Sequence, residues 1–195
     1  MTLKIARFIS IIFNPILILV FLPFFLVIKS TNNFNQALFW TEFTSVFFIA
    51  IAVFIFFAVR KKIFSDWDVS KREQRPLLFS AFLILGFIYL ISLFIFHAPR
   101  ILFIVTISVI CGVIIVGVIN KKIKASLHVA TASALVLGLI LAYKAYYFLL
   151  LLIPIVAWSR VTIKRHTLYE TIIGGIVGSL LLLAIYGVFE LVLQR

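Results

Sequence analysis

Ile101-Leu-Phe-Ile-Val-Thr-Ile-Ser-Val-Ile-Cys-Gly-Val-Ile-Ile-Val-Gly-Val-Ile119 runs nineteen residues without a charge or a proline. A hydrocarbon core about 30 Å thick is crossed by roughly 20 mostly apolar helical residues, so this stretch reads as a membrane span. Its continuity also excludes a transmembrane β-barrel, whose strands alternate apolar and polar positions. Working outward, the same criterion picks out residues 8–28, 39–59, 76–97, 126–143, the shorter 145–158, and 167–193. The expectation is an all-α polytopic transmembrane helical bundle of about six or seven spans, forming one integral membrane domain over residues 1–195. The run 145–158 is short enough to be tilted or partly re-entrant. Pro76 opens its span at a position where a missing N–H costs nothing. Residues 1–7 are basic, but the apolar run behind them is long and lacks a small-residue cleavage site, so it reads as a first span rather than a signal peptide.

Composition agrees. The chain is 65% hydrophobic and 12% charged, against roughly 45–50% and about 25% in a soluble domain. Eighteen Lys and Arg face six Asp and Glu, a net charge of +12, yet the chain lacks the polar surface that nucleic-acid binding needs. One cysteine, Cys111, excludes a disulfide scaffold and reads as a packing residue. If each run crosses once, the N-terminus and the segments 60–75, 120–124 and 159–165 share one side and hold fourteen of the eighteen basic residues. The positive-inside rule places that side in the cytoplasm. Trp40, Trp67 and Trp158 read as an aromatic belt, and Asn14-Pro15 as a kink satisfied by a neighbouring helix.

Three segments on that basic side carry chemistry. The last reads Ser159-Arg160, five residues, His166, three residues, Glu170, with Gly174, Gly175 and Gly178 following. On a helix beginning near Arg165, His166 and Glu170 would share a face, the carboxylate fixing the tautomer so that the other ring nitrogen acts as nucleophile or base. Arg160 would reach back from its loop as a planar cation suited to phosphate. Ser126 and His128 stand at a span's N-terminus, where backbone N–H groups and the helix dipole favour an anion. Lys71-Arg72-Glu73-Gln74-Arg75-Pro76 precedes another span at the same depth.

These motifs resemble the three signatures of the type 2 phosphatidic acid phosphatase superfamily, membrane relatives of the vanadium haloperoxidases. Ser159-Arg160 through Glu170 has the third signature's full spacing, with Glu in place of the usual Asp. Ala125-Ser126-Leu127-His128 resembles the second, with Leu127 where a glycine is usual. Residues 71–76 resemble the first, normally a Lys, six residues, then Arg-Pro; Asp68 stands where that lysine would be. The resemblance spans residues 66–180, behind two extra N-terminal spans.

It implies a phosphatase that works without metal or other cofactor on a lipid phosphate or polyprenyl diphosphate held in the bilayer. In that scheme His166 attacks phosphorus, Glu170 orients it, and His128 protonates the leaving oxygen. Arg160, Arg75, Ser126 and one of Lys71 or Arg72 hold the phosphate, on loops facing the cytoplasm by the charge count. Two alternatives stay open at this point: a non-catalytic lipid-binding protein of the same fold, and a magnesium-dependent polyprenyl transferase using Asp66 and Asp68.

Overall fold

The computed structural model describes residues 2–144 and 146–193, and all regular structure in them is helical. Ala145, where the sequence starts its shorter run, lies outside the described residues, as do Met1, Gln194 and Arg195. The helices are α1 (Thr2–Ile12), α2 (Pro15–Thr31), α3 (Phe34–Arg60), α4 (Arg75–Ile95), α5 (Arg100–Asn120), α6 (Leu127–Tyr143), α7 (Leu152–Thr162) and α8 (Leu168–Leu193). Short 3-10 turns, Arg72–Gln74 and Tyr147–Leu151, lead into α4 and α7. Among the described residues four helices, α3, α4, α5 and α8, are long and apolar enough to cross a membrane, or five spans if α1 and α2 form one broken span. Leu127–Leu141 and Tyr147–Thr162 are apolar but shorter.

The first apolar run breaks where its chemistry demands. Asn14 Oδ1 accepts a hydrogen bond from Ile16 N at 2.9 Å and Pro15 supplies the first residue of α2, the preferred pair of residue types for starting a helix. Asn14 therefore caps its own helix rather than leaning on a neighbour.

Helices α3, α4 and α7 end alike. Each closes with a residue in the left-handed region, Lys62 (φ 58), His97 (φ 53) and Lys164 (φ 57). The next N–H then bonds a carbonyl five residues back: Ile63 N to Ala58 O, Ala98 N to Leu93 O, Arg165 N to Arg160 O. This is the Schellman arrangement, built here with side-chain-bearing residues where glycine is commonest.

Two compact units emerge, one of Leu19–Asn120 and one joining Met1–Ile18 to Lys121–Arg195. In the first, Val27, Trp40, Tyr89, Leu93 and Leu102 form a buried cluster backed by Phe43 and Phe47. Trp40 is thus a core residue, 4% exposed, while Trp67 and Trp158 stay exposed. The reason is the face of α3 that it occupies: Trp40 packs against Val27, Tyr89, Leu93 and Leu102, while the adjacent Phe39 stays exposed. Cys111 is exposed rather than packed.

In the second unit α6 packs on α8, α1 on α7, and α7 on both α6 and α8. The α6–α8 pair sits unusually close. A β-carbon at Gly174 would lie 2.5 Å from Ser126 O, and one at Gly178 would overlap the Ala130 backbone. Two glycines four residues apart put two bare backbone positions on one face, the usual device for close helix contact in membranes.

Candidate functional site

Five sequence-selected residues, Ser126, His128, Arg160, His166 and Glu170, meet in the second unit, and the backbone explains how. Arg160 is in the last turn of α7 rather than in a loop. The Schellman turn at Lys164 folds the chain back so that both Arg165 N (3.1 Å) and His166 N (3.3 Å) donate to Arg160 O. The five-residue spacing between Arg160 and His166 is thus the length of a helix end plus its reversal.

His166 precedes α8 rather than standing on it, because α8 starts at Leu168. Its tie to Glu170 comes from a capping box. Glu170 N donates to Thr167 Oγ1 at 3.3 Å, and Thr167 N donates to Glu170 Oε2 at 3.1 Å. The same Oε2 lies 3.0 Å from His166 Nδ1. A carboxylate only accepts, so Nδ1 carries a proton, and in the neutral ring the lone pair falls on Nε2. Both rings of the histidine pair are buried, His128 and His166 each at 7% exposure, and Arg160 is at 2%.

Arg160 Nη1 donates to Ser10 Oγ of α1 and lies 3.5 Å from His128 Nε2. Guanidinium has no acceptor, so this contact requires the lone pair on His128 Nε2. A proton donated by His128 through Nε2 therefore requires Arg160 to move off that nitrogen first. Ser159 Oγ donates to Ala6 O at 2.6 Å. Helix α1, outside the span of the family resemblance, thereby positions the arginine. Ser10 is a residue the sequence reading missed; the four-residue spacing of the small Ala6 and Ser10 was the available signal. Thr167-x-x-Glu170 was likewise legible as a capping box.

The start of α6 is tied to α8. Ser126 N donates to Glu170 O at 3.1 Å, so this N–H is spent on the scaffold. Ser126 Oγ is fully buried and has no hydrogen-bond partner among the described residues, and Ser126 is the residue before the first turn of α6. An unpartnered buried hydroxyl at a helix N-terminus is chemically disposed to an oxyanion. Lys124 Nζ donates to Arg165 O at 2.8 Å, joining the two histidine-bearing loops.

Lys71, Arg72 and Arg75 belong to the other unit. Lys71 and Arg72 are exposed, and Arg72 Nε lies 3.8 Å from Glu73 Oε1. Arg75 is buried at 3%, donating from Nε to Val69 O at 3.3 Å and from Nη1 to Asn120 Oδ1 at 3.4 Å. Asn120 Nδ2 in turn donates to Arg72 O at 3.2 Å. Val69 sits at φ 46, a strained value for a β-branched residue. Asp66 helps hold it there. Its carbonyl accepts from Val69 N at 3.1 Å, and its Oδ1 accepts from Asp68 N at 3.0 Å and Ser70 Oγ at 2.9 Å.

Compared with known proteins, the chain matches no family model, no curated protein and no solved structure.

Proposed function

We propose that the chain is a multi-pass membrane phosphatase acting on a lipid phosphate or polyprenyl diphosphate through a phosphohistidine. The observation that carries this reading is the buried trio of Glu170-oriented His166, Arg160 and His128. Phosphoryl transfer asks for positioned cations and donors around developing charge, and for a nucleophile whose proton is held elsewhere. His166 Nε2 attacks phosphorus, and the bond to the leaving oxygen breaks. Arg160 turns from His128 to the phosphate, and His128 Nε2, released from it, takes up a proton from water and gives that proton to the leaving oxygen. Water then cleaves the phosphorus–nitrogen bond, its oxygen joining phosphorus and its proton passing to His128 Nε2, which returns inorganic phosphate and the His166 imidazole.

The rest of the reading is topological. The short helices Leu127–Leu141 and Tyr147–Thr162 count as crossings, giving six or seven in all, and the basic loops with the site face the cytoplasm by the positive-inside rule. The roles that the resemblance assigns to Arg75, Arg72 and Lys71 are tested by substituting each with alanine. The transferase alternative draws less support, because Asp66 Oδ1 is turned into its own loop.

The experiment is phosphate release by purified protein in detergent, with EDTA, from phosphatidic acid, phosphatidylglycerophosphate and undecaprenyl diphosphate. Turnover by the wild type and its loss in His166→Ala are expected, together with an acid-labile phosphoenzyme. Undiminished turnover by His166→Ala overturns the mechanism. Lipid binding without phosphate release identifies the non-catalytic alternative. Reactivity of Ser65→Cys and Lys121→Cys, both at exposed positions, in a Cys111→Ala background, from outside only, reverses the sidedness.

A further inference from the structure

The unit Leu19–Asn120 contains a cavity of about 80 Å³ among α2, α3, α4 and α5. It is far larger than the roughly 10–15 Å³ that one water needs, and it is only partly enclosed. Leu22, Phe48, Phe82, Val109 and Val113 are among its walls, and its hydroxyl-bearing residues are Thr44, Tyr89 and Thr106.

Those three hydroxyls can be accounted for proton by proton. Thr44 Oγ1 donates its only hydrogen to Trp40 O at 2.6 Å, so the 2.7 Å contact between Thr44 Oγ1 and Tyr89 OH has tyrosine as the donor. Thr106 Oγ1 donates to Leu102 O, also at 2.6 Å. Every donor proton is committed within the protein, while the oxygens of Tyr89 and Thr106 keep acceptor capacity. None of the described residues that line the cavity is charged.

We infer that this cavity binds a membrane-dissolved long-chain alcohol: an apolar chain against the aliphatic and phenyl walls, and one hydroxyl donating to Tyr89 or Thr106. A fatty-acid carboxylate is disfavoured because it brings acceptors to a wall that offers only acceptors. An ammonium is disfavoured because no counter-charge meets it. The inference does not depend on the phosphatase reading.

Trp40 packs in the same cluster as Tyr89 and Leu102, so its fluorescence reports occupancy once the other tryptophans are replaced (Trp67→Phe, Trp158→Phe). The full chain in detergent is titrated with 11-bromoundecanol and, separately, with its methyl ether, which has the chain and the bromine but no donor. Saturable quenching by the alcohol is expected, with the ether about three- to tenfold weaker, the range of one neutral hydrogen bond. Val109→Phe fills the cavity and should abolish saturable quenching. Tyr89→Phe and Thr106→Val hold the shape and together should bring the alcohol down to the level of the ether, which keeps the test decisive should Val109→Phe not fold. Linear, equal quenching by alcohol and ether overturns the inference, as does saturable quenching that a folded Val109→Phe leaves unchanged.

Discussion

Gly174→Ala joins the packing of the second unit to the chemistry proposed for it. The new β-carbon would lie 2.5 Å from Ser126 O and 3.1 Å from Ser126 N, where ordinary contact begins at 3.4 Å. The obstacle is backbone rather than a flexible side chain, so α6 and α8 must part by roughly 1 Å, and a close-packed interior resists that. Overpacking of this kind costs about 1–3 kcal/mol. Gly187→Ala is the matched control, because a β-carbon there meets nothing within 4 Å and the substitution gains up to about 1 kcal/mol of helix propensity. The two variants should differ by about 2–12 °C in unfolding midpoint in detergent, by the usual scaling for a chain of this size. The same separation breaks the 3.1 Å bond from Ser126 N to Glu170 O, shifting His128 relative to His166. A displacement of about 1 Å at a reacting centre costs on the order of 10²-fold in rate, so phosphate release by Gly174→Ala should fall by that order while Gly187→Ala stays within twofold. Equal midpoints for the two variants would refute the close α6–α8 contact, and unequal midpoints with equal rates would refute the placement of the chemistry at that contact.

Other expectations follow from single contacts. Glu170→Gln keeps one oxygen to accept from Thr167 N and His166 Nδ1 but loses the charge that strengthens both, so phosphate release should drop about 10- to 100-fold, the worth of a charge-assisted bond, with a small change in midpoint. Ser10→Ala removes the α1 partner of Arg160; turnover should fall about tenfold, whereas an unchanged rate would show that α1 does not position the arginine. Asn120→Leu leaves buried Arg75 and the Arg72 carbonyl each short of a partner, a loss of about 1–3 kcal/mol measurable as a lower midpoint. Lys164→Gly places the unstrained residue at a left-handed position and should raise the midpoint by the equivalent of about 0.5–1 kcal/mol, while Lys164→Val should lower it.

The long apolar runs at 76–97 and 101–119 were legible because a span is a one-dimensional property: length and hydropathy suffice, and α4 and α5 begin and end within two residues of expectation. The first run was not so simple. It is two helices, because Asn14 and Pro15 together make a better helix start than a helix interior. The pairing of His166 with Glu170 was legible from spacing, but for a different reason than a shared helix face. The histidine lies in the cap, and Thr167, whose hydroxyl completes the box, gave a signal of its own.

What the sequence determined by itself is therefore local: the apolar lengths, the cap chemistry, and the separation of Arg160 from His166, which a helix end and one reversal set without any distant partner. Tertiary structure decided the rest. That Arg160 is held by Ser10, 150 residues earlier, that Lys124 ties down the carbonyl next to His166, and that α6 lies against bare glycine backbone on α8 are facts about which helices become neighbours. Apolar helices of similar length offer nearly interchangeable faces to hydropathy, and only the packing of small residues and buried hydrogen bonds selects among them.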